Sequence, residues 1–182
     1  MPIPVALAAL LQLLLAGLFV LMLAAYRTAG PRAQRAAEAE VAQQGAEPGV
    51  LAEHGIELTE GRWGFVAGYA IAAVLTALAA LNLTGSEIGR VSTWIVQPLI
   101  LLGVGYVTTI QVFAIPITAA AFAKLDDPRT RSLDIRAVLR AAVTALPSWY
   151  RPATVLRWLI ATVGSLAVIG LLTLPAAGSY FS

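Results

Sequence analysis

The chain has no cysteine and a single histidine, His54. The first absence excludes disulfides, thiolate nucleophiles and Cys-ligated metals, and the second excludes any multi-histidine metal site. Charge is scarce as well. Asp, Glu, Lys and Arg make up 12% of the 182 residues, about half the share typical of a soluble domain. Lysine is nearly missing, with one Lys against eleven Arg. Together with abundant Ala, Gly and Val, that bias is what a GC-rich bacterial genome produces. The arginines are dispersed and no aromatic-basic platform accompanies them, so no nucleic-acid partner is expected. HExxH, GxSxG, CxxC and a Gly-rich phosphate loop are all missing. The one acidic doublet, Asp126-Asp127, has no third ligand beside it and reads as an ordinary loop feature. No catalytic, cofactor-binding or metal-binding residue is therefore assigned, and no cofactor is expected.

What the sequence has is apolar length. At 59% hydrophobic residues it reads as an all-α integral membrane protein, a single membrane domain over 1–182 with four transmembrane helices at about 5–25, 63–83, 93–123 and 156–174. The first run has no basic region ahead of it and is too long for the core of a signal peptide, so it is expected to be retained. Gln12 within it reads as a helix-helix contact. The second run opens with Gly64 and Gly68 in a GxxxG spacing that lets two backbones approach. A short turn rich in Gly and Ser follows, so the second and third runs should form an antiparallel hairpin.

The third run is the oddest. It is interrupted by Pro98 and Pro116 and carries Gln97, Thr108, Thr109, Gln111 and Thr118. At 100° per residue Gln97, Thr108, Gln111 and Thr118 fall within an arc of roughly 80°. Hydrocarbon offers those amides and hydroxyls no partner, so the arc is expected to face another helix or a solute path, with Leu102 and Thr109 on the opposite side. Apart from Arg157 at the edge of the fourth run, the runs hold no charged residue, and an intramembrane charge is the usual mark of ion coupling or catalysis in a bilayer.

Two polar loops, 27–62 and 124–155, connect the runs in pairs. In the first, Pro31 reads as the start of a new helix over 32–44, closed by Glu47-Pro48-Gly49, with a short turn near residues 50–54 ending at Gly55. In the second, Ile135, Val138, Leu139, Ala142 and Leu146 fall at helical spacing, with Ser132 as cap and Arg136 and Arg140 off the apolar stripe. That pattern predicts an amphipathic helix in the membrane interface, its arginines among anionic headgroups. Trp149, Arg151, Arg157 and Trp158 then read as an aromatic-basic belt at headgroup depth. Arg62-Trp63 and Arg157-Trp158 each precede a run, which hints at two related hairpins, although the halves share little identity.

Loops 27–62 and 124–157 hold eleven of the twelve Lys and Arg residues. The positive-inside rule puts both in the cytoplasm, with both termini outside, in a bacterial plasma membrane. The function expected is a non-enzymatic accessory or structural subunit of a larger membrane complex, partnered by another membrane protein or by itself. The alternative is an oligomeric transporter or channel component whose path the Gln97, Thr108, Gln111 and Thr118 arc lines.

Overall fold

The computed structural model describes residues 1–125 and 133–181. Among them no strand occurs. Four helical segments are long and apolar enough to cross a membrane: Ile3–Gln43, Arg62–Leu83, Glu87–Val112 and Tyr150–Thr173.

The first helix, α1 (Ile3–Gln43), is a single element of 41 residues, about 60 Å long and thus twice the hydrocarbon thickness of a bilayer. Its first half is the apolar run; its second half continues as a polar helix beyond it. The expected break at Pro31 does not occur. Pro31 removes one backbone hydrogen bond and crowds the carbonyl four residues back, but good helix formers follow, and the far end of the helix is held by packing. The chain then turns through Gly45, at φ +79°, a conformation open to glycine at little cost. The short α2 (Val50–Glu53) lays Val50 and Leu51 back on α1. The returning segment is clamped to α1 at both polar atoms of Leu58. Tyr26 Oη donates to its carbonyl at 2.6 Å, and its N–H donates to Gln34 Oε1 at 2.7 Å.

α3 (Arg62–Leu83) and α4 (Glu87–Leu99) form the hairpin. The turn between them is shorter than the sequence suggests, and helix resumes at Glu87 rather than near residue 93. Inside α4, Pro98 has no N–H to give, and a π-helical turn (Ile100–Val104) follows it before α5 (Gly105–Val112). Phe113, at φ −102° and ψ 21°, separates α5 from α6 (Ala114–Phe122). Pro116 accounts for the break: continued helix would drive its ring into the carbonyl of Val112, whereas in the first turn of a new helix its missing N–H costs nothing. The third apolar run is therefore two helices.

After α7 (Ile135–Thr144), the last crossing is helical from Tyr150: α8 (Tyr150–Leu159), a second π-helical turn (Ile160–Gly164) and α9 (Ser165–Thr173). It thus starts some six residues before the expected span, which sets Arg157 well inside the helix rather than at its edge. A final turn, α10 (Pro175–Gly178), folds back on the bundle.

Three apolar cores stack along α1. At one end Val5, Ala8, Val168, Leu172, Ala177 and Phe181 pack together, and Tyr180 Oη donates to the carbonyl of Leu83 at 2.8 Å. Both termini and the turn between α3 and α4 share this end, where Tyr180 and Phe181 pack into the bundle. The middle core holds Leu15, Phe19, Leu75, Ile100, Val104 and Ile160. At the other end Ala33, Ala37, Val41, Val50 and Leu51 meet Ala119 of α6 and Ile135, Val138, Leu139 and Ala142 of α7.

That third core corrects the reading of α7 as an interfacial helix. Ile135, Val138, Leu139 and Ala142 of its apolar stripe are buried against the second half of α1 and are not available to the acyl region. Asp134 caps the helix, accepting from the N–H groups of Arg136 and Ala137 at 3.0 and 3.1 Å. Gln44 at the end of α1 holds the same cap from outside, its Oε1 accepting from Asp134 N at 2.8 Å. Ser132 and the Asp126-Asp127 pair lie outside the described residues.

Candidate functional site

Two polar clusters sit inside the bundle. The first joins all four long apolar helical segments: Gln12 of α1, Asn82 of α3, Thr93 and Gln97 of α4, and Ser165 of α9, each at most 1% exposed. Gln12 Nε2 donates to Gln97 Oε1 at 3.3 Å and lies 3.5 Å from Thr93 Oγ1. Asn82 Nδ2 donates to Thr93 Oγ1 at 2.9 Å and to Gln12 Oε1 at 3.2 Å. Gln97 Nε2 donates onward to Ser165 Oγ at 2.9 Å, and Thr93 Oγ1 donates to its own helix at Gly89 O, 2.8 Å. One acceptor, Asn82 Oδ1, has no partner. An amide left alone in such a place costs several kcal/mol. Mutual bonding is what permits three of them to be buried together.

The local sequence explains the positions. Gly89, Thr93 and Gln97 recur every four residues, so they lie on one stripe of α4. Gly89 is where α4 comes closest to α3: a Cβ there would lie 2.6 Å from Leu81 Cβ and 2.9 Å from the Leu81 carbonyl carbon. That approach brings Asn82 within reach of Thr93. Gly68 plays the same part toward α1, where a Cβ would meet Leu23 Cδ1 at 2.5 Å. Gly64, its partner in the GxxxG spacing, faces only the side chain of its own Glu60.

The second cluster surrounds Arg157, which is 7% exposed. Its Nη2 donates to Gln111 Oε1, and its guanidinium carbon lies 5.3 Å from the ring centroid of Phe19. Its Nε has no partner. Beside it Trp158 Nε1 donates to Thr109 Oγ1 at 2.9 Å, with Phe113 edge-on to the indole at 6.3 Å. Tyr150 stacks on Tyr26 at 5.9 Å.

The polar arc of the third run is thus divided. Gln97 belongs to the first cluster. Thr108 is buried, but its hydroxyl returns to the carbonyls of Val104 and Gly105 on its own helix. The exposed Gln111 belongs to the second cluster. Thr118 stands beyond the break, half-buried on α6. Thr109, placed by the wheel on the far side with Leu102, turns inward to Trp158, while Leu102 is 71% exposed. Of the arginines read as headgroup contacts, Arg136, Arg140 and Arg151 are exposed, but Arg157 is not. It is a bundle residue, because the helix starts early enough to carry it inside. Trp149 is 38% exposed at the start of α8. Arg62-Trp63 begins α3 at the surface, so the two Arg-Trp pairs are not structural equivalents.

Sequence reasoning missed Asn82, Thr93 and Ser165. Asn82 reads as the start of the turn, Thr93 as no more than the first residue of the third run, and Ser165 as one hydroxyl in an apolar run. The signal available was spacing: Thr93 stands four residues before Gln97, on the same face of a helix as an amide already singled out.

No family model matches this chain, nor does any curated protein or any solved structure.

Proposed function

We propose that the chain is a non-enzymatic accessory or structural subunit of a larger membrane complex, its two polar loops on the cytoplasmic side of a bacterial plasma membrane and its termini outside. The observation that carries this reading is the position of Gln97. A residue lining a solute path keeps its amide toward the path. Gln97 is 1% exposed, with its oxygen accepting from Gln12 and its nitrogen donating to Ser165. The amide is committed to holding helices together. Outside this network the crossings present Leu13, Val66, Val74, Leu102, Val107, Val163 and Leu166, an apolar surface suited to lipid or to a neighbouring membrane helix. The loops supply a second surface: Arg136 and Arg140 stand free of the α7 core and suit anionic headgroups or an acidic partner.

Native mass spectrometry of the tagged chain, extracted from its own membranes in a mild detergent, tests the proposal. A second membrane protein present in fixed stoichiometry is the expected result. A homo-oligomer alone that carries solute flux in proteoliposomes overturns it in favour of transport.

A further inference from the structure

Arg157 is the one buried charged side chain among the described residues, and the packing network does not account for it. A guanidinium offers five N–H donors and stays charged at any physiological pH. Here Gln111 Oε1 takes one donor, Phe19 lies against the face of the group, and Nε is left without an acceptor. Among the described residues no carboxylate pairs with it. A neutral amide and a ring quadrupole are weak counterweights for a desolvated cation, which normally requires an anion. Its planar fork fits a tetrahedral oxyanion through two parallel hydrogen bonds.

The surroundings decide what size of anion can arrive. Phe19 of α1 closes one side of the group. Gln111, whose side chain is exposed on α5, covers the Nη2 edge, so turning one amide outward frees that edge toward the surface between the third and fourth long helices. An acid on a neighbouring helix would have to push past that cover into a closed bundle. A small oxyanion needs only to replace the amide oxygen.

We infer that Arg157, with Gln111 as its removable cover, is a binding site for a phosphate oxyanion, brought either by the headgroup of a membrane phospholipid or as free phosphate. The site is independent of the subunit reading, since it rests on the side chains of this chain alone.

The test follows thermal unfolding of the full chain in a neutral detergent by tryptophan fluorescence, with inorganic phosphate, phosphatidylglycerol or diacylglycerol added. At a hundredfold excess over Kd, one of the two phosphate carriers should raise Tm by about 5–10 °C. Diacylglycerol should leave it unchanged, and the effective carrier names the source. Arg157→Lys keeps the charge but not the fork, and should lose most of the shift. Gln111→Glu places a carboxylate in the same position, so Tm should rise without any additive and the further gain should vanish. That second variant keeps the test decisive if changes at Arg157 prevent folding. No shift from either carrier in the unaltered chain, an equal shift from diacylglycerol, or an undiminished shift in Gln111→Glu overturns the inference.

Discussion

Gln12 and Gln97, 85 positions apart, meet side chain to side chain in the interior of the bundle, Nε2 to Oε1 at 3.3 Å. The bond links the first crossing to the third, and through Asn82 and Ser165 the same network reaches the second and the fourth. Apolar packing between crossings is non-directional, because lipid tails are as apolar as leucine. A polar contact among all four helices therefore fixes their relative rotation and height.

Replacing Gln97 by Leu leaves the Gln12 amide and the Ser165 hydroxyl short of a partner, at an expected cost of roughly 1–3 kcal/mol. The pairwise coupling with Gln12 should be smaller, near 0.6 kcal/mol and at most about 1.7, as for other interhelical bonds in membranes. A double-mutant cycle on Gln12→Leu and Gln97→Leu, read by unfolding in mixed micelles, measures it. Strict additivity would mean that the two amides do not act together.

The close approaches predict an ordering among glycines. At Gly89 an added methyl meets Leu81 Cβ, the Leu81 carbonyl carbon at 2.9 Å and Asn82 N at 3.1 Å. No rotamer change relieves a clash with backbone, so Gly89→Ala should cost at least the roughly 1–3 kcal/mol of an overpacked core and should separate Asn82 from Thr93. Gly68→Ala meets the end of the Leu23 side chain, which can turn away, and should cost less. Gly64→Ala meets only the flexible Glu60 side chain and should be nearly neutral. Tm values falling in another order would show that these contacts do not set the helix spacing.

The number and apolar character of the long helices were legible in the sequence because length and hydropathy depend only on composition along a run. Their ends were not. Asn82, Gly85, Ser86 and Gly89 look alike as turn residues, yet only Thr84 to Ser86 lie outside helix. Asn82 and Gly89 are helical because a packed neighbour gives each a reason to be there. Pro31 and Pro116 show the same limit. Both are prolines in helix-forming surroundings; one is passed over and the other ends a helix, and the difference lies in tertiary support. The wheel placed the polar arc on one continuous helix, which the break at Phe113 and the π-helical turn at Ile100–Val104 do not permit. The apolar stripe of α7 was read correctly as a stripe. What covers it was not in its spacing, since lipid and the Ala33, Ala37 and Val41 face of α1 are both apolar partners.

The cover of α7 has a measurable consequence. Leu139 is 7% exposed within the core shared with Val41 and Leu51. Leu139→Ala should destabilise that end of the molecule by about 2–5 kcal/mol, as for other buried leucines, and should open residues 44–61 to protease. Arg140, one position on and exposed, should change stability by no more than about 0.5 kcal/mol when replaced by Ala. Equal effects at the two positions would restore the interfacial placement of α7.

The proposed orientation across the membrane rests on combining charge with packing. The polar half of α1 and α7 share one core, so loops 27–62 and 133–149 lie at the same end of the bundle. The termini and the turn after α3 lie at the other. Eleven of the twelve Lys and Arg residues belong to the loop segments 27–62 and 124–157, against only Arg90 near the turn. Translocating a basic loop is disfavoured, and here the two loops cannot be placed on opposite sides without separating α7 from α1. Both should therefore remain in the cytoplasm. The chain has no native cysteine to give background, so single Glu47→Cys and Glu87→Cys variants report each end directly. In intact cells, with the outer barrier made permeable, an impermeant maleimide should label position 87 and spare position 47 until the inner membrane is lysed. Labelling of 47 alone would invert the orientation. Labelling of both in intact cells would mean that the loops and the turn are not separated by a membrane.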